Sequence, residues 1–268
     1  MSTLGLIIAF TFLGGVVGVL MASVFMLAPE RIRTRSLPFM VAFATGALLG
    51  AALLGLLPEA VELAGPNGYQ SVGLSLLGGI ALFFILEKLV LWRHCHEDHC
   101  ETHTPGEHSH QGHASDDSRR RSSGAMVIVG DTVHNVLDGV LIAAAFLIDS
   151  KLGVMTGIAV LAHEVPSEVG DFAVLLHSGM SRARAMFWNL LSALGSVVGG
   201  VIGYFALAGL RPWLPYALGV SAACLLYVAV ADLIPGLHRR TDLKTSIWQV
   251  ILIGLGVALV AGVEALSP

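Results

Sequence analysis

Charge is scarce in this sequence. Only 13% of its 268 residues are Asp, Glu, Lys or Arg, against 55% hydrophobic residues and a mean hydropathy of +0.77. A soluble domain of this length carries about twice that charge, so the composition excludes a water-soluble globule and makes lipid the main solvent. No stretch long enough for a soluble domain remains once the apolar runs are set aside. The first run lacks both a basic leader and a small-residue cleavage site, and so reads as a retained helix rather than a signal peptide. No Walker phosphate loop is visible either, so nucleotide hydrolysis is not the expected energy source. No nucleic-acid partner is expected.

What the chain has in abundance is apolar length. A bilayer core needs about 20 mainly apolar residues per helix. Eight such runs lie near 3–28, 37–58, 71–92, 124–148, 152–176, 183–209, 214–234 and 246–266. The sequence therefore predicts an all-α polytopic membrane protein with eight transmembrane helices. It divides into helices 1–3 (1–93), a His-rich segment (94–123), helices 4–5 (124–178) and helices 6–8 (179–268). Arg31, Arg33, Arg35, Lys88, Arg93, Arg119, Arg120, Arg121, Arg182, Arg184, Arg239, Arg240 and Lys244 all fall on one side of this alternation. Only Lys151 and Arg211 fall on the other. The positive-inside rule then places the odd-numbered loops in the cytoplasm and both termini outside it, with the plasma (inner) membrane as the expected location.

The apolar runs repeat. Leu13-Gly14-Gly15-Val16-Val17-Gly18 in helix 1 matches Leu194-Gly195-Ser196-Val197-Val198-Gly199 in helix 6. Leu57-Pro58 matches Ile234-Pro235, and Gly79-Ile80-Ala81-Leu82 with Glu87 matches Gly256-Val257-Ala258-Leu259 with Glu264. The last two matches share an offset of 177 residues. Repeats five helices apart insert upside down relative to each other. Such inverted repeats, here helices 1–3 and 6–8 around a central helix 4–5 pair, mark secondary transporters with a site near the midplane.

The central pair carries what polarity the spans contain. Helix 4 places Asp131, His134, Asn135 and Asp138 at i, i+3, i+4 and i+7. Helix 5 places His163, Glu164, Ser167, Glu168 and Asp171 at i, i+1, i+4, i+5 and i+8. Each set is one stripe on an apolar helix. A charged side chain at mid-membrane costs roughly 2.5–3.5 kcal/mol on insertion scales. Two histidines and several carboxylates with no Lys or Arg to match therefore point to a cation as the missing partner. Imidazole nitrogen and carboxylate oxygen are ligands that zinc and its neighbours accept. Pro166 cannot donate to the carbonyl of Ala162, which frees a backbone oxygen beside the stripe. A helix pair held by internal hydrogen bonds is the bland alternative.

These segments resemble the ZIP (Zrt/Irt-like protein) family of metal transporters. Asp131-Thr132-Val133-His134-Asn135-Val136-Leu137-Asp138-Gly139 is similar to the family's HN-x-x-DG segment, and His163-Glu164-Val165-Pro166-Ser167-Glu168-Val169-Gly170-Asp171-Phe172 to its HE-x-P-HE-x-GDF segment. Leu56-Leu57-Pro58-Glu59-Ala60 and Phe83-Phe84-Ile85-Leu86-Glu87-Lys88 also look like family segments. The resemblance implies uptake of a divalent transition metal by alternating access. Zinc is the first choice of cargo, with iron, manganese, cadmium and cobalt behind it. It implies a two-metal site in which His134, Asp138 and His163 bind one ion, and Asn135, Asp138 and Glu164 bind or relay the second. Glu168 belongs to the same expected set. Asp131, Asp171, Asn189 and Ser192 are auxiliary contributors. Ser167 departs from the family pattern, because the subgroup with this motif has a second His there. Ala51 and Gly55 offer no ligand from helix 2.

Seven of the eleven histidines crowd into one polar stretch: His94, His96, His99, His103, His108, His110 and His113, with Cys95 and Cys100. Such tracts bind metal in many geometries without a fold. In the cytoplasm its thiols stay reduced. The stretch reads as a metal trap near the exit, or else as a plain solvated linker. Cys224, alone in helix 7, reads as packing. The expected partners are divalent metal ions and the lipid bilayer, with a homodimer left open. Two rival functions remain. An intramembrane zinc protease would use HExxH, but the second His is absent, Pro166 interrupts the motif, and Leu137-Asp138-Gly139 precedes it. A non-transporting metal-binding membrane protein would explain the stripes but not the repeat.

Overall fold

The computed structural model describes residues 2–97, 113–238 and 242–265, with side chains described for 2–89, 124–238, 242–263 and 265. Eight long helices run through them: α1 Thr3–Phe25, α2 Glu30–Ala64, α3 Tyr69–Glu97, α4 His113–Ile148, α5 Ser150–His177, α6 Arg182–Ala208, α7 Arg211–Leu237 and α8 Leu243–Ala265. No strand occurs among the described residues. Seven of the helices are long and apolar enough to cross a membrane. The eighth, α5, is the one whose apolar run is interrupted by His163, Glu164, Ser167, Glu168 and Asp171. Large apolar side chains such as Leu74, Phe205 and Val250 are exposed on the outside of the bundle, where lipid is their solvent.

Helix ends follow local chemistry. The side chain of Asp149 accepts from the N–H of Lys151 at 2.9 Å to open α5, and that of Asp242 accepts from Thr245 at 2.9 Å to open α8. Gly179, at φ 90°, follows the end of α5 in the left-handed region that side chains avoid. Arg31, Arg33 and Arg35, which the apolar runs 3–28 and 37–58 leave to the first loop, are helical instead: α2 starts at Glu30, directly after Pro29, so they lie on its first turns. Basic residues end a hydrophobic run without ending the helix, because their heads reach water while the backbone continues. Likewise the polar stretch from 94 to 121 has helical backbone through Glu97 and again from His113.

The repeat is visible in both backbone and packing. A π-helical turn interrupts α2 at Ala51–Leu56 and α7 at Val228–Leu233, each followed by a Pro-containing turn. The two are 177 residues apart, the offset read from the sequence. A Cβ added to Gly256 of α8 would lie 2.3 Å from the Phe43 carbonyl oxygen of α2. One added to its repeat mate Gly79 of α3 would lie 2.6 Å from the Ala223 Cβ and 3.2 Å from the Val220 Cα of α7. Residues 43 and 220 are again 177 apart. The α8-on-α2 contact and the α3-on-α7 contact are thus one close, small-residue packing made twice.

The central pair α4 and α5 is enclosed by these repeats. Leu48 and Leu56 of α2, Leu141 of α4, Ala159 of α5 and Leu218 and Leu225 of α7 form one buried apolar cluster. On the α4–α6 side the backbones meet. A Cβ on Gly139 would lie 2.0 Å from the Ser196 carbonyl oxygen, and one on Gly199 2.0 Å from that of Val136. On the α1–α5 side, a Cβ added to Gly18 would lie 3.3 Å from the Cβ of Glu164. Small residues on α1 and α6 therefore bring helix backbones right up to the polar stripes.

Candidate metal centre

The two stripes face each other. His134 Nε2 lies 3.2 Å from His163 Nε2, and both nitrogens face the same two carboxylates. From His163 Nε2 the distances are 3.2 Å to Asp138 Oδ2 and 3.5 Å to Glu164 Oε1. From His134 Nε2 both are 3.7 Å. One ligand atom from each of the four residues fits within 4.8 Å of every other. Asp138, His163 and Glu164 are almost wholly buried, and His134 is 26% exposed. No Lys or Arg side chain forms an ion pair with this group among the described residues.

Tautomer geometry sharpens the point. His163 Nδ1 lies 3.2 Å from the Ala159 carbonyl oxygen, which can only accept, so the proton of a neutral ring sits on Nδ1. That leaves the lone pair on Nε2 aimed at the cluster, the arrangement in which a metal-ligating histidine is held by its other nitrogen. Both oxygens of Asp138 and Oε1 of Glu164 are buried without a hydrogen-bond donor. Buried acceptors converging with no donor are costly unless a cation lies between them. Zinc's neighbours, like zinc itself, take this mix of nitrogen and oxygen ligands.

The remaining expected residues divide. Asn135 is fully buried, and its amide nitrogen meets two acceptors of one residue: the Asp131 carbonyl oxygen at 3.1 Å and Asp131 Oδ1 at 2.8 Å. Only a nitrogen can face two acceptors, so the orientation of the amide is fixed and its Oδ1 is left buried with no partner. The other carboxylate oxygen of Asp131 accepts a short hydrogen bond from Ser192 of α6, whose hydroxyl also lies 3.1 Å from the Asn189 carbonyl. Asp131 and Ser192 thus hold Asn135 in place and do not join the four-atom group. Glu168 sits one turn beyond Glu164, outside that group, with both oxygens buried and unpartnered. The side-chain nitrogen of Asn189 is also unpartnered.

Ser167 and Asp171 line a cavity of about 200 Å³ together with Asp131, His134 and His163. Its far wall is Val228, Asp232 and Leu233, the π-helical turn of α7. Asp232 is absent from the expected site. The signal was available: an acidic residue inside an otherwise apolar span is a functional candidate by default. Glu87, in the family-like segment of α3, accepts a short hydrogen bond from the Tyr227 hydroxyl of α7. Of the seven clustered histidines, His99, His103, His108 and His110 lie outside the described residues, and only the backbone of His94, His96 and His113 is described.

Fold and site together define an integral, multi-pass membrane protein with a buried histidine–carboxylate cluster between its two central helices. Residues 2–264 match the family model described as ZIP Zinc transporter, and the chain belongs to that family, whose members are transporters and not enzymes. Human "Zinc transporter ZIP5" is 35% identical over 88% of this chain and 53% of its own length. "Zinc transporter ZIP13" of Pongo abelii is 30% identical over 82% of the chain and 64% of its own length, and human "Zinc transporter ZIP10" is 40% identical over 63% and 21%. The matches thus span between about half and two thirds of the first two relatives.

Proposed function

We propose that the chain imports a divalent transition metal, zinc first, into the cytoplasm by alternating access. The observation that carries this reading is the meeting of His134, Asp138, His163 and Glu164, with four lone-pair atoms within 4.8 Å and, among the described residues, no cationic side chain to satisfy them. The names of the relatives, all zinc transporters, favour zinc as cargo. In this mechanism the ion exchanges hydration for two imidazoles and two carboxylates. The Asn135 amide oxygen, held by Asp131 and Ser192, offers a further oxygen as the ion moves along the stripe. The charge pattern puts the Asp131–Asp171–Asp232 end of the cavity nearer the cytoplasm, which makes these carboxylates the next stop on release. The histidines clustered from His94 to His113 would receive the ion on that side. The expected location is the plasma (inner) membrane with both termini outside the cytoplasm.

The test is zinc flux into proteoliposomes containing the purified chain. His134→Ala together with His163→Ala should reduce flux to the protein-free background while the protein stays folded in detergent. Flux that persists in the double variant removes the cluster from the path. Binding without flux in the unaltered chain would make the protein a metal-binding membrane protein and not a carrier.

A further inference from the structure

A second cavity, of about 740 Å³, lies where α1, α2, α5 and α6 meet, and it shares no lining residue with the cavity beside the metal cluster. Its chemistry is of two kinds. Leu20, Val24, Phe172 and Leu176 give it apolar walls, while Arg33 and Arg182 bring two guanidinium groups. Among the described residues, no acidic one lines it. Arg33 is poorly served by its own protein: its Nε is sealed from solvent without a partner, and its Nη1 finds only the Met26 thioether sulfur at 3.2 Å. A thioether is a weak acceptor, and a guanidinium fork matches the paired oxygens of a phosphate. Arg182 is the first residue of α6, where the positive end of the helix adds to the field. On the outer side, Val24 is 69% exposed and Leu20 47%, so the apolar wall continues onto the lipid-facing surface.

We propose that this pocket binds one anionic phospholipid, with its phosphate between Arg33 and Arg182 and its acyl chains along Leu20 and Val24. Charge complementarity selects an anion, and the apolar wall running out to the bilayer selects a lipid over a free ion. Basic pockets between transmembrane helices take anionic headgroups for the same reason. With the charge pattern oriented as above, the lipid comes from the cytoplasmic leaflet. The site itself depends neither on that orientation nor on the direction of metal transport.

The experiment uses the full chain in detergent and counts retained lipids by native mass spectrometry. Dioleoylphosphatidylglycerol is compared with dioleoylphosphatidylcholine. Two guanidinium groups near the headgroup give an expected preference of about thirtyfold for the anionic lipid. Arg33→Gln with Arg182→Gln should remove most of that preference. Val24→Trp, which keeps both charges and fills the exposed wall, should weaken retention of both lipids. Equal retention of the two lipids by the unaltered chain overturns the proposal. So does an unchanged preference in the double variant, or displacement of the lipid by millimolar inorganic phosphate, which would make this a site for a free anion. If the double variant does not fold, the lipid comparison on the unaltered chain and the Val24→Trp result still decide.

Discussion

At the scale of single residues, the cluster is defined by which lone pairs are left over. His163 uses Nδ1 on the Ala159 carbonyl and offers Nε2. Asn135 uses both amide hydrogens on Asp131 and keeps Oδ1 free of partners. Ser192→Ala removes a hydrogen bond to a carboxylate worth about 1.5–3 kcal/mol. If that bond holds Asn135 for the ion, the KM for zinc flux should rise about tenfold or more, with the protein still folded and one ion still bound by the four-residue group. An unchanged KM makes the Ser192–Asp131 bond purely structural. Ser167 sits in the cavity wall beside His134 and His163, where a hydroxyl is a weak ligand. Ser167→His should lower the KM for zinc and slow release; an unaltered KM in vesicle uptake refutes the idea that this serine loosens the site. The ligands themselves were legible in the sequence because polar residues inside a span must have a reason to be there. The role of Asp131 was not. It depends on Ser192, which lies 61 positions away and reaches it only through the α4–α6 packing. Asp232 was not legible either, because one carboxylate near the end of an apolar run looks like the start of a loop.

Elements act here through how closely they approach. The stripe on α4 is held against α6 at Gly139 and Gly199, where any Cβ would come within 2.0 Å of a backbone carbonyl oxygen. A backbone atom cannot step aside as a side chain can. Gly199→Leu should therefore separate α4 from α6, costing at least the 1–3 kcal/mol typical of overpacking. The expected result is a lower melting temperature in detergent together with a raised KM, since Ser192 moves away from Asp131 with its helix. A variant with normal stability and normal KM would show that the contact is slack. The π-helical turns at Ala51–Leu56 and Val228–Leu233 place Gly55 against Met155 of α5 and Asp232 opposite the histidines. Such turns change which residues face inward without ending the helix. This is also why they were invisible in the sequence: hydropathy reports that a run is apolar, not where its register slips by one residue. The helix count and the repeat were legible, because 20-residue runs and a 177-residue offset survive small errors at the ends. The first turns of α2 were not, since Arg31, Arg33 and Arg35 look like a loop to any scale that scores charge.

For the whole molecule, the proposed import raises the question of what drives the ion. For import as proposed, the forces to weigh are the metal gradient, the membrane potential and any counter-moving ion. A divalent cation crossing alone toward a negative interior gains about 4.6 kcal/mol per 100 mV, roughly three orders of magnitude in accumulation. The ligands also bind protons, so acid outside should weaken capture by competing for the same imidazole and carboxylate lone pairs. The two effects can be separated in proteoliposomes. With equal pH on both faces, a valinomycin-imposed, inside-negative potassium potential should raise both the initial rate and the final level of zinc uptake, and a zero potential should remove the gain. Lowering only the external pH at zero potential should raise the KM and leave the maximal rate nearly unchanged. If the potential has no effect while the vesicle interior becomes alkaline as zinc enters, two protons leave for each ion. The acidic wall of Asp131, Asp171 and Asp232 would then be the first place to look for the return path.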